Sequence, residues 1–190
     1  MSRLRTKMAL ALVAAGAIAA VAVPSAIGQA GVPWGAGCSP VAAGATRTSA
    51  NCGATLVDGR AIAPPGAPAA VKQVIAAANQ IDGRPYVWGG GHLSFFTKGY
   101  DCSGAVSYAL HGASLLGTTM VSGQLEYWGD AGGGRWITVY ANSHHVFMVV
   151  AGLRFDTLDD PPGVSGPRWK MAAPDSRILP SFVARHPAGL

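Results

Sequence analysis

Asp101-Cys102-Ser103-Gly104-Ala105-Val106-Ser107-Tyr108-Ala109-Leu110 reads as the opening of a buried helix with a thiol in its first turn. Asp101 can cap that helix by accepting a backbone N–H from Ser103 or Gly104. Ala105, Val106, Ala109 and Leu110 then fall on roughly the same side as Cys102 and form a stripe suited to packing on a sheet. A helix N-terminus carries partial positive charge, and there or beside an imidazolium a cysteine pKa drops from about 8.5 into a range of about 3.5 to 7.5. The charge of Asp101 works against a thiolate, so its carboxylate is expected to turn into the cap. A packed core cysteine is the commonest fate of a free thiol. What favours chemistry here is a histidine further along the chain.

That histidine comes from the run Trp136 to Ala141, then Asn142-Ser143-His144-His145, then Val146-Phe147-Met148-Val149-Val150-Ala151. Two strands joined by a short Asn-Ser turn fit this pattern. Read as strand residues, His144 and His145 point to opposite faces, so only one can meet the cysteine. Both faces of the second strand are apolar, and periodicity does not choose between them. After Gly152 a third strand, Leu153 to Thr157, carries Asp156 where a carboxylate can accept the other imidazole N–H and orient the ring.

Upstream, Ala69 opens a helical pattern with Val71, Val74, Ile75 and Ala78 at spacings of three and four, stopped by Asp82 and Gly83. Next comes Arg84-Pro85-Tyr86-Val87-Trp88-Gly89-Gly90-Gly91-His92, two aromatics followed by three glycines that permit close approach of a ligand or another segment. It does not read as a phosphate cradle, because no Lys-Ser or Lys-Thr follows the glycines. A bland surface turn would explain the glycines but not Tyr86 and Trp88. Ser122, Gly123 and Gln124 begin a short helix expected to run through Leu125 and Trp128, chiefly for core packing.

The ends and the composition set the context. Arg3, Arg5 and Lys7 precede an apolar run from Met8 to Val23 and then small residues, the layout of a secretory leader ending near Ala26 or Ala30. The run is shorter than the ~20 residues that comfortably span a bilayer. An uncleaved N-terminal anchor is the alternative, and the membrane enters only through this segment. Of the 14 Lys and Arg, 11 follow residue 30 and face nine Asp and Glu, a balance of about +2 that gives no footprint for nucleic acid. In an exported chain Cys38 and Cys52 are expected to be oxidised together, which leaves Cys102 as the free thiol. Residues 31–67 read as a Gly/Ala/Pro-rich linker or disulfide-pinned arm, and 68–190 as the main domain. His92, His144 and His145 match no zinc spacing, so neither a metal nor another cofactor is expected. A monomer is expected.

Taken together, Tyr86-Val87-Trp88-Gly89-Gly90, Asp101-Cys102-Ser103-Gly104 and the later His145 with its apolar strand resemble the NlpC-type cell-wall cysteine peptidases over about residues 69 to 157. The resemblance implies an α+β, papain-like fold, with N-terminal helices and the nucleophile helix packed on an antiparallel sheet that carries the histidine. It implies cleavage of peptide stems of bacterial peptidoglycan, with Cys102 as nucleophile, His145 as base, Asp156 as orienter and Tyr86 near substrate or oxyanion. Trp88, Ser103 and His92 are the other residues it places at the cleft, His92 also reading as a hydrogen-bonded structural histidine. The chain departs from the family in having aspartate, rather than histidine, asparagine or glutamine, at the third position. Gly132, Gly133, Gly134 and Arg135 stand where the family has Pro-Gly-Asp. Two other functions are the alternatives: a non-catalytic wall-binding module of the same fold, which would not need Cys102, His145 and Asp156 together, and a Cys-His acyltransferase or amidase, which keeps the same pair.

Overall fold

A two-stranded hairpin, β1 (Thr55–Val57) and β2 (Arg60–Ile62), opens the part of the chain described by the computed structural model, which covers residues 53–158, 165–171 and 177–190. Asp58 and Gly59 both take positive φ at its tip, as a tight two-residue turn matched to the strand twist requires. The leader expected over residues 1–30 and the Cys38–Cys52 pair lie outside the described residues. The described residues all belong to one compact unit, Gly31–Leu190.

Helix α1 (Ala69–Ile81) follows, with Val71, Val74, Ile75, Ala77, Ala78 and Ile81 buried. The hairpin is fastened to it by one amide: Asn79 Nδ2 donates to Ala61 O (2.9 Å) and Asn79 Oδ1 accepts from Ala61 N (3.0 Å). Residues 53–67, read from sequence as part of a linker or arm, are thus docked on the domain. Three-residue strands are too short for periodicity to reveal them.

Helix α2 (Cys102–His111) packs beside α1, and the short α3 (Ser122–Leu125) contributes the buried Leu125. α3 ends three residues earlier than expected; Tyr127 N and Trp128 N bond back to Gln124 O and Leu125 O as a turn rather than continuing an α-helix.

The sheet holds β3 (Asp130–Ala131), β4 (Ile137–Ala141), β5 (Val146–Val150), β6 (Leu153–Asp156), β7 (Arg168–Lys170) and β8 (Val183–His186). Their spatial order is β3-β8-β4-β5-β6-β7, and each neighbouring pair is antiparallel. One face, with Ile137, Val139, Val146, Met148, Val150 and Phe155, meets the apolar sides of α1 and α2 in a single core. Burying that face is the main stabilising term, at about 25 cal/mol per Å² of apolar surface. This is the α+β plan expected, with the cysteine helix on an antiparallel sheet. The tail beyond Leu158 closes the sheet on both sides, through β7 beside β6 and β8 between β3 and β4. Among the described residues no helix is long and apolar enough to cross a membrane.

Candidate active site

Cys102 is the first residue of α2 and is partly exposed. Its position is fixed from below by Asp101, whose buried carboxylate does turn into the cap. Oδ1 accepts from Gly104 N (2.8 Å) and from the Ser103 hydroxyl (3.0 Å), while Oδ2 accepts from Gly89 N (3.1 Å) and meets His92 Nε2 at 2.6 Å. Four partners therefore hold that carboxylate in the cap.

The glycines of 89–91 serve this same junction. A Cβ on Gly104 would overlap Gly90 O, and one on Gly91 would run into Gly104 Cα. The loop lies backbone against backbone on the first turn of α2, bonded by Asp101 N to Gly90 O (3.1 Å) and Val87 N to Tyr100 O (3.2 Å). The segment the glycines admit is α2 itself.

His144 and His145 sit in the turn ahead of β5, not in the strand. Asn142 Oδ1 accepts the backbone N–H of both, each at 2.9 Å, and Asn142 N donates to His145 O (2.9 Å). The turn leaves His144 exposed and swings the His145 ring inward. Its Nε2 lies 2.9 Å from Asp156 Oδ1, with the two side chains 17% and 0% exposed. Cys102 lies close enough to the ring to help raise its pKa. With Nε2 on the carboxylate, Nδ1 is the nitrogen left for Sγ. Phe147 and Phe182 flank the imidazole, at ring-centre distances of 6.2 and 6.3 Å.

Electrostatics follow from these contacts. Burial works against a charged His145 ring, but the hydrogen bonds and charges of Asp156 and Cys102 outweigh it and raise its pKa to about 9. Burial likewise opposes ionisation of Asp156, yet its bonds to His145 and Leu158 N and the charges of His145 and Arg154 hold the carboxyl below its usual value. Tyr86 is raised, first by burial and then by the charges of Cys102 and Asp101, which puts its hydroxyl in the electrostatic range of the thiol.

The other residues named from sequence separate from this group. Ser103 is buried, and its hydroxyl serves Asp101 rather than a cleft; His92 Nε2 is 3.0 Å from Ser103 Oγ and works in the same cap. Both side chains are engaged with Asp101, the arrangement that the hydrogen-bonded reading of His92 describes. Trp88 stands 85% exposed on the loop, whereas Tyr86 is 36% exposed. Asn142, Phe182 and Arg154 were not singled out from sequence. Asn142 had a signal, an Asn opening a turn before the histidines; Phe182 had none, because its approach depends on how β8 pairs. Among the described residues no cluster of three or more His, Cys, Asp or Glu side chains could hold a metal ion.

A helix-borne thiol, an imidazole and a buried carboxylate are the three groups that this part of the fold gathers. No protein-family profile and no curated protein sequence matches the chain. Among solved structures it is similar to Rv1477, a hypothetical invasion protein of Mycobacterium tuberculosis, at 24% identity over 61% of each chain with a TM-score of 0.46. It is similar to the resuscitation promoting factor interacting protein RipA at 23% identity over 62% of each chain, TM-score 0.47. A third similar structure is the peptidoglycan hydrolase RipB of Mycobacterium tuberculosis, 26% identical over 61% of this chain and 64% of that one, TM-score 0.47. The chain thus spans just over three fifths of the length of these structures.

Proposed function

We propose that this chain is an exported NlpC-type cysteine peptidase that hydrolyses peptide stems of bacterial peptidoglycan. The observation that carries the reading is the His145 ring, held between the Asp156 carboxylate and the Cys102 thiol. Substrate class and export rest on the resemblance of the Tyr-x-Trp-Gly-Gly and Asp-Cys-Ser-Gly segments and on the leader-like N-terminus. The Cys38–Cys52 disulfide belongs to the same proposal.

In this mechanism the Cys102 proton passes to His145 Nδ1 and the thiolate attacks a stem peptide carbonyl. Cys102 N–H, at a helix position that has no intrahelical acceptor, and the Tyr86 hydroxyl meet the oxyanion. As the C–N bond breaks, the imidazolium gives its proton to the leaving amine and the acyl group stays on Sγ. Water, deprotonated by His145, then releases the acid and restores the thiol. The test is product analysis of purified stem-peptide fragments by mass spectrometry. Wild type is expected to release shortened peptides and Cys102→Ala none; full activity in a folded Cys102→Ala protein would show the nucleophile to be elsewhere.

A further inference from the structure

We propose that Arg154 is a positioning residue for this site, a buried guanidinium that keeps Asp156 ionised and aimed at His145. The proposal rests on the reading of Cys102, His145 and Asp156 as the reacting group. Arg154 and Asp156 are two apart on β6, so their side chains leave the same face of the sheet, while Phe155 between them packs on Trp169 in the core (ring centres 4.9 Å apart). Arg154 Nε lies 3.5 Å from Asp156 Oδ2, and the side chains are 8% and 0% exposed. Oδ1 of the carboxylate is taken by His145 Nε2 and by Leu158 N (3.1 Å); Oδ2 accepts no hydrogen bond among the described residues, and the guanidinium is what faces it.

An arginine inside a buried strand, Leu153-Arg154-Phe155-Asp156, is costly unless its charge meets an opposite one. A carboxylate with a fully buried side chain would otherwise relieve its desolvation by taking up a proton, and a protonated Asp156 no longer balances an imidazolium. The other charged groups around Asp156 are His145, with Cys102 behind it, and two β7 side chains. Arg168 is its register partner and Lys170 that of Arg154. Arg168 Nη1 donates to Pro167 O (2.8 Å) and Arg84 O (3.4 Å), and Lys170 Nζ to Leu158 O (2.7 Å). Besides His145 on Oδ1, Arg154 is the cation in ion-pair contact with Asp156 among the described residues, and it faces Oδ2.

The test is the pH dependence of Cys102 alkylation by iodoacetamide, read by mass spectrometry on wild type, Arg154→Gln and Arg154→Lys. This readout follows the thiol and its partners whatever the substrate. Loss of the charge is expected to move the acid limb of the rate curve upward by about half to one pH unit, a fall of about 3- to 10-fold at a fixed pH on that limb. Lysine is expected to restore the limb. An unchanged curve in folded Arg154→Gln, or a displaced curve that lysine leaves displaced, overturns the proposal. If the glutamine variant does not fold, Arg154→Met, which keeps the aliphatic stem and drops the charge, carries the same two outcomes. A wild type that shows the acid limb yet cleaves no stem peptide removes the peptidase reading and leaves the role of Arg154 to be judged on the alkylation curves.

Discussion

A histidine whose pKa stands at about 9 is an imidazolium at neutral pH, so the proton that His145 takes from Cys102 in the proposed mechanism stays on the ring until the leaving amine needs it. Peptide hydrolysis is therefore expected to fall as pH rises through about 9, where that proton is lost; a flat kcat/KM profile to pH 10 would contradict it. Stability follows the same groups. The raised pKa of His145 means its contribution is complete below about 6.5, the unfolded value, and is lost as pH rises through about 9. The lowered pKa of Asp156 means its contribution is present above about 3.8 and is lost as pH falls through the folded value. Thermal melts across pH should accordingly show a plateau with losses on both sides, and Asp156→Asn should flatten the alkaline loss by letting the His145 pKa fall. The same variant should lower kcat by about 10²-fold or more, since it removes the charge that balances the imidazolium. From sequence the thiol, the two histidines and the carboxylate were all visible, but periodicity did not choose between His144 and His145 and the resemblance alone named His145. In the structure the choice is made by the Asn142 side chain binding two backbone N–H groups, a contact that strand periodicity does not encode.

Helix α2 is positioned by an element with no regular secondary structure, the loop 86–92. Gly104→Ala should force Gly90 O away from the first turn of α2 and cost about 1–3 kcal/mol by overpacking, read as a lower urea midpoint. The displaced loop should also loosen the Gly89 N and His92 contacts of Asp101, so that Cys102 alkylation changes along with stability. If Gly104→Ala melts like wild type, the backbone contact is not what fixes the helix. α1 and α2 were legible because each carries a 3.6-residue apolar period and a stop or cap signal in its own sequence. β1 and β2 left one signal, the Asp58-Gly59 turn, between strands too short to alternate convincingly. β7 and β8 left less, because each exists by pairing with a strand far away in the chain.

Across the described part of the unit, residues 53–67 and 165–171 outside the resemblance are built into the fold. Asn79 on α1 links three of its parts: Oδ1 accepts from Ala61 N of the hairpin and from Trp169 Nε1 on β7 (2.9 Å), and Nδ2 donates to Ala61 O. Nothing in the helical period marked Asn79 for this, since an asparagine on a helix flank reads as solvated until the partners on either side are known. Asn79→Ala would leave the Ala61 N–H and C=O and the Trp169 indole N–H without this partner. At about 1 kcal/mol for each of three hydrogen bonds, the loss should be about 2–3 kcal/mol by urea denaturation. The acid limb of Cys102 alkylation should stay where it is, because Trp169 and its register partner Phe155 lie on the core face of the sheet, while Asp156 beside Phe155 points to the opposite face, where it meets His145. A stability loss with that limb unmoved would make residues 53–67 and 165–171 supports of the fold. A limb displaced by Asn79→Ala would instead mean that docking of the hairpin and β7 sets the geometry of the thiol site.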